Sequence, residues 1–282
     1  ELTRRYTVVD LHFHTHYSDG VNSVDTIAER ARKLGIGIAI TDHNEIRGAL
    51  EIDKYKNILS IPGIEITSKE GTHLLVYFYS IQGLKRFYEQ HIEPFMGPDV
   101  MSSTALEMEE IIDRARIYKT LIIFPHPYSA VYTGIINMHF PGDRLNRMLQ
   151  MIDGVEAINS ENLKRWNLQG AVLGFNLQKA ITGGSDGHQL SQLGKVVSYA
   201  PCKKSRKAFL DAIRNQQNQV IGKETPILRK VTSNGIKLRS SLKHYPDLVG
   251  KNIRYSYTVF NSKSKTIREN MKRTINTRIR KI

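Results

Sequence analysis

Cysteine is nearly absent from this chain: Cys202 stands alone among 282 residues, so no intramolecular disulfide can form and a reducing cytoplasm is the expected compartment. Long apolar runs are missing too. No stretch approaches the roughly 18 residues that a membrane span requires, and residues 1–5 carry no signal-peptide pattern, so the start at Glu1 is read as trimming. No internal repeat is visible. Acidic residues are scarce in one place only: residues 203–282 hold 21 Lys and Arg against four acids, Asp211, Glu224, Asp247 and Glu269. Within a whole-chain balance of +14, that segment carries +17 and the first 202 residues carry −3. The charge that points to a polyanionic partner is therefore C-terminal, and it leaves open what the near-neutral body does.

What is present is ordinary for a soluble globular protein: 40% hydrophobic and 24% charged residues. The length suits one large α/β domain, or a domain of about 200 residues with an appendage. Over residues 6–200, β-branched or apolar runs alternate with amphipathic stretches, the pattern of strand–helix repeats around a parallel sheet. Strands are expected at 6–12, 36–41, 58–66, 73–79, 120–124, 154–159, 180–182 and 196–199. A helix over 23–34 places Val24, Ile27, Ala28, Ala31 and Leu34 on one face, with a Ser23 cap and a stop at Gly35. The spacing Thr104-x-x-Glu107 predicts a capping box ahead of a second helix through Ile111, Ile112 and Ala115, with weaker helices over 145–152 and 160–175.

Six of the ten histidines lie in short motifs near acidic residues. His12, His14, His43, Glu65, His126, Asp186 and His188 fall at or just after the C-terminal ends of expected strands, whereas His73 begins one. In a closed parallel barrel the strand C-termini share one rim, so residues 170 positions apart can meet in one pocket. Residues two apart on a strand face the same side, so His12 and His14 can serve a single ion. A lone His-x-His is weak evidence. With Asp19 and the other strand-end residues it reads as a multinuclear metal site, able to generate a hydroxide nucleophile at neutral pH. Asp10 is a candidate to orient a ligand imidazole or to cap a turn, and Asp42 to orient a ligand. His16, the next step of the same spacing, is a candidate general acid or phosphate contact. Arg47 and Arg144 are candidates to grip an anionic substrate group. His91, His139, His244, Trp166, Tyr77 and Tyr79 are read as packing or surface residues.

The run Asp10-Leu11-His12-Phe13-His14-Thr15-His16-Tyr17-Ser18-Asp19-Gly20, followed by Ile40-Thr41-Asp42-His43 and Gly63-Ile64-Glu65, resembles the PHP (polymerase and histidinol phosphatase) family. The resemblance continues through His73, Phe124-Pro125-His126-Pro127, Gly154-Val155-Glu156-Ala157-Ile158-Asn159 and Gly183-Gly184-Ser185-Asp186-Gly187-His188, over residues 6–222. It implies a distorted (β/α)7 TIM-like barrel over residues 1–222, two or three divalent ions of manganese, iron or zinc, and hydrolysis of phosphoesters. Carried over by motif, it places His12, His14, Glu65 and Asp186 on one ion, with Glu65 bridging to a second held by His73 and His126. A third takes Asp19, His43 and His188. The expected reaction is attack of a metal-bridged hydroxide on a phosphomonoester, a nucleotide or oligonucleotide end being the leading substrate. Glu65, Asp186 and His16 are the expected catalytic residues, and Arg47, Arg144 and His16 the expected substrate contacts.

Residues 223–282 form a basic C-terminal extension in which Ile267, Met271, Ile275, Ile279 and Ile282 recur at near-helical spacing. Such a segment suits packing on its own body, nucleic-acid phosphates or an anionic membrane surface. Two rivals stand beside the phosphoesterase reading. Amidohydrolases also carry His-x-His after a first barrel strand, but bridge their metals with a carbamylated Lys where this chain has Glu65. The other rival is a nucleic-acid-binding protein whose PHP-like body is only structural, against which the complete ligand set argues.

Overall fold

The computed structural model describes residues 2–129, 133–136 and 140–225. Nine strands are β1 (Thr7–Phe13), β2 (Gly37–Ile40), β3 (Gly63–Thr67), β4 (His73–Phe78), β5 (Thr120–Phe124), β6 (Gly154–Asn159), β7 (Ala180–Gly184), β8 (Val196–Ala200) and β9 (Gln219–Gly222). The helices are α1 (Leu2–Arg5), α2 (Val24–Leu34), α3 (Arg47–Ile52), α4 (Ile81–Phe87), α5 (Met108–Arg116), α6 (Gly142–Met151), α7 (Lys164–Leu177) and α8 (Arg206–Arg214). No helix among the described residues is long and apolar enough to cross a membrane.

The strands make two sheets, ordered β2-β1-β8-β9 and β3-β4-β5-β6-β7, rather than the all-parallel sheet expected from the alternating pattern. The pairs β3/β4, β4/β5, β1/β8 and β8/β9 are antiparallel, while β1/β2, β5/β6 and β6/β7 are parallel. The hairpin between β3 and β4 is short enough to reverse the chain without a crossover helix. At the seams the sheets meet through isolated bridges, Ile38 to Ser60 and His43 to Glu65 on one side and Phe13 to Gly187 on the other. The mixed α/β fold is therefore two sheets among the described residues, and a single closed barrel is not what their hydrogen bonds form.

Three apolar clusters hold the layers. Val9, Leu11, Ala39, Leu75, Tyr77, Leu121, Ile123 and Ala180 fill the space between the sheets, with Phe209, Leu210 and Ile213 of α8 packed on them. A second cluster backs β3–β5 with α4, α5 and α6, and a third backs β1 and β2 with α2. Val9 and Leu11 join the inner cluster, yet Phe13 joins the outer one with Val8. The register irregularity between Asp10 and Phe13 shifts the alternation, as a bulge does, and turns Phe13 toward α2. Helix α2 has the expected Ser23 cap and left-handed Gly35. The capping box ahead of α5 is Glu107 with Glu110, not Thr104 with Glu107, because Thr104 is tied through its N–H and hydroxyl to the Thr67 carbonyl. Strand β9 and helices α3, α4 and α8 extend the set read from periodicity. His139, His244 and residues 226–282 of the basic extension lie outside the described residues.

Candidate metal centre

All nine residues singled out as metal ligands are brought to one end of the paired sheets. Glu65 is the hub. Its Oε2 lies 3.3 Å from His12 Nε2, 3.5 Å from His14 Nε2 and 3.1 Å from His43 Nδ1. Its Oε1 lies 2.9 Å from His73 Nδ1 and 3.2 Å from His126 Nε2. Asp186 Oδ1 adds contacts of 3.5 Å to His12 Nε2 and 3.2 Å to His14 Nε2. Around Asp19, His188 Nε2 is 3.0 Å from Oδ2, and His14 Nδ1 and His43 Nε2 are both 3.7 Å from Oδ1.

These spacings match a coordination shell. Ligand atoms about 2.1 Å from one tetrahedral ion lie roughly 3.4 Å from each other. His12 Nε2, His14 Nε2, Glu65 Oε2 and Asp186 Oδ1 approach that figure as a set. His12 Nε2, His14 Nδ1, His43 Nδ1, His126 Nδ1 and Glu65 Oε2 are also buried without a hydrogen-bond partner among the described residues. Uncompensated burial of this kind is costly, and a cation would satisfy Glu65 Oε2 and His12 Nε2 together. The residues present fit a divalent metal.

Topology explains why His73 begins its strand. β4 runs antiparallel to β3, with Thr67 opposite His73 and Glu65 opposite Leu75, so the start of β4 lies beside the end of β3. His126 and Asp186, the turning points after β5 and β7, have positive φ values of 30° and 48°. Non-glycine residues seldom take that conformation, and it recurs at functional sites.

The ligands are held by groups that the motif reading left without a role. Glu156 on β6 accepts from His12 Nδ1 at 3.0 Å and, through Oε2, from the His126 backbone N–H at 3.1 Å and Asn159 Nδ2 at 2.8 Å. Asn159 Nδ2 also donates to Asp186 Oδ2 at 3.1 Å. A hydrogen bond at Nδ1 fixes the tautomer and leaves Nε2 of His12 free to accept a metal. Asp10 does not touch a ligand ring: its carboxylate accepts from Ser185 N and Oγ, Gly194 N and His12 N. It thereby pins the turn that carries Asp186, and burial pushes it up to about 6 against those hydrogen bonds. Asp42 accepts from Thr15 N and Oγ1 and from Ser18 Oγ, fixing the turn that bears Asp19.

Charge follows the same geometry. Burial alone would lower His12, but Glu156, Asp186 and Glu65 outweigh it and hold the imidazole well above its ordinary value. His14 and His126 are likewise raised by nearby carboxylates against burial. His43 goes the other way, because burial dominates over Glu65 and Asp19. Glu65 and Asp186 are held well below the carboxylate range despite burial, by the surrounding imidazoles. A site built this way attracts cations, and metal binding there would release protons.

Residues 10–123 match the family model described as PHP domain. An uncharacterized protein of Methanocaldococcus jannaschii is 32% identical over 187 residues, covering 61% of this chain and 90% of that protein. The chain belongs to the PHP family. Among solved structures, the lesion-specific endonuclease Q of Pyrococcus furiosus has a TM-score of 0.63 at 19% identity, over 76% of this chain and 57% of its own. A two-domain protein of Bacteroides vulgatus, described as containing a predicted PHP-like metal-dependent phosphoesterase, has a TM-score of 0.58 at 17% identity, over 77% of this chain. The PHP chain spans 66% of that protein and little more than half of the endonuclease. Both likenesses are of fold.

The substrate candidates of this PHP chain are placed differently from the candidate ligands. His16 is exposed, lies at a tilt against Tyr17 and donates from Nδ1 to the Asn22 carbonyl at 3.3 Å. Arg47 is gripped by Glu45, with Nε 2.8 Å from Oε2, and lies over the Tyr17 ring. Arg144 is engaged by Glu109 and Glu70 at 2.5–2.6 Å. Neither arginine is hydrogen-bonded to any of the nine candidate ligands. Glu156 and Asn159 are what sequence reasoning missed; the available signal was a carboxylate and an amide three apart at a strand end.

Proposed function

We propose that this PHP chain is a metal-dependent phosphoesterase that hydrolyses a phosphomonoester, with a nucleotide or oligonucleotide end as the leading substrate. Glu65 carries the reading: a buried carboxylate with imidazoles grouped on each of its two oxygens is the arrangement that two neighbouring cations require. His12, His14, Glu65 and Asp186 would hold one ion, Glu65, His73 and His126 a second, and Asp19, His43 and His188 a third, all of them manganese, iron or zinc. When bound, such ions acidify water and neutralise charge on phosphate oxygens. The chain's own contribution is to hold the ligands still. Glu156 sets the His12 tautomer and Asn159 restrains Asp186.

His16 is the proposed proton donor or phosphate contact, since its Nδ1 is occupied by Asn22 and its Nε2 remains for a substrate oxygen. Arg47 and Arg144 are the proposed substrate contacts, each guanidinium already oriented through Nε and Nη2 by Glu45 or by the Glu70 and Glu109 pair. The two sheets are read as arcs of a distorted (β/α)7 barrel over residues 1–222, with the basic extension from 223 as a separate unit. An endonuclease and a phosphoesterase-like protein of the same fold support phosphorus as the reacting atom.

The test is metal analysis of the purified chain, with a panel of phosphomonoesters, phosphodiesters and 5′-phosphorylated oligonucleotides assayed in manganese. Two or more ions per chain and turnover of a monoester are expected, and Glu65→Ala should abolish that turnover while leaving a folded protein. Undiminished turnover in Glu65→Ala would sink the proposed centre.

A further inference from the structure

The turn that carries Asp186 and His188 is gripped from one place, residues 159–161 at the end of β6. Asn159 Nδ2 donates to Asp186 Oδ2, and Ser160 Oγ donates to the Ser185 carbonyl at 2.5 Å. Glu161 completes the series through an intermediary. Its Oε1 accepts from Gln192 Nε2 at 2.8 Å, while Gln192 Oε1 accepts from the backbone N–H groups of His188 and Gln189, both at 2.8 Å. Gln192 is buried, so its amide atoms need partners. An ionised carboxylate only accepts, which turns Nε2 toward Glu161 and leaves Oε1 for the two N–H groups. Gly187 admits the side chain, since a Cβ there would lie 3.1 Å from Gln192 Cβ. The His188 ring is set within the same turn: Nδ1 donates to the Asp186 carbonyl at 2.9 Å, and Nε2 lies 3.0 Å from Asp19 Oδ2.

We infer, on the three-ion reading above, that Gln192 is a positioning residue for the candidate site of Asp19, His43 and His188, and that Glu161 sets the direction of its amide. His188 enters that site from the connection between β7 and β8, and a connection is freer to shift than a strand. One buried oxygen that accepts from two successive N–H groups fixes the backbone there. Groups that orient a ligand in this way are worth about 10–100-fold in metal affinity. Glu161 is itself restrained, because its N–H donates to Asn159 Oδ1 at 2.8 Å and its Oε1 also accepts from Thr225 Oγ1 at 2.8 Å. The end of β6 thus holds Asp186 through Asn159 and His188 through Gln192.

Manganese uptake by the full chain, followed by equilibrium dialysis, tests the role. Gln192→Leu removes both polar atoms and should weaken the ion assigned to Asp19, His43 and His188 about 10–100-fold, leaving the ions on Glu65 at parental affinity. His188→Ala should lose the same ion. Adding Gln192→Leu to His188→Ala should then change uptake by less than about twofold, since a residue that acts through His188 has nothing left to act on. Gln192→Glu alone opposes two carboxylates and should weaken the ion, whereas Gln192→Glu with Glu161→Gln reverses the pair and should return affinity to within about twofold of the parent. Parental uptake in Gln192→Leu, alongside a loss in His188→Ala, would overturn the positioning role alone. Equal uptake by the parent and His188→Ala would overturn the third ion, and the role with it. Loss of every ion in a folded Gln192→Leu would make the residue a general prop and overturn the role too. If Gln192→Leu does not fold by circular dichroism, the reversed pair decides, and a pair no better than Gln192→Glu alone overturns the assignment.

Discussion

Glu65 and Glu156 are both buried glutamates within reach of His12, yet they face opposite sides of its ring. Glu65 meets Nε2 and Glu156 meets Nδ1, so one shares a candidate ion with the imidazole while the other decides which nitrogen is free to bind it. Glu156→Gln should keep the volume and weaken the hold on the Nδ1 proton, lowering metal affinity about 10–100-fold; a metal titration with an unchanged midpoint would remove the positioning role. The candidate ligands could be picked out in the sequence because each belongs to a local motif. Glu156 was visible in the same motifs but had no role there, since its work is a hydrogen bond across 144 residues. Asp10 shows the converse: a placement two residues before His12 suggested a ring contact, and the fold gives its oxygens to Ser185 and Gly194 instead.

At the level of elements, periodicity located most strands and helices but not their direction. β4 antiparallel to β3 brings His73 to the rim from the wrong end of its strand, and no residue of β4 announces that reversal. The irregularity in β1 is equally silent in the sequence, because Asp10-Leu11-His12-Phe13 reads as ordinary alternation. Close approach of β7 to β1 depends on Gly184, where a Cβ would lie 2.4 Å from His12 Cβ and 2.7 Å from His12 N. His12 is fully buried, so neither its Cβ nor its backbone nitrogen has room to retreat. Gly184→Ala should cost about 1–3 kcal/mol, read from the urea midpoint, and displace His12 enough to weaken metal binding in the same protein. Stability and affinity both equal to the parent would show that the seam yields.

For the whole molecule, the candidate metal centre is also a stability problem. Imidazoles and carboxylates that are buried, closely spaced and in part without hydrogen-bond partners oppose folding unless a cation compensates them. Metal at 100 times its dissociation constant should stabilise the chain by about 2.7 kcal/mol, raising Tm by roughly 5–10 °C. Thermal scans with EDTA against manganese, iron or zinc measure this, and a Tm indifferent to chelator would mean that the cluster holds no ion. The sequence by itself determined the family, the roster of candidate ligands and the separation of a near-neutral body from a basic tail, because motif, composition and charge are properties of the chain read locally. Tertiary structure alone decided the two-sheet arrangement, the pairing of each imidazole with a particular oxygen and the hold of Gln192 on the turn at His188. Those depend on distances between residues far apart in the chain, set by packing and strand direction together.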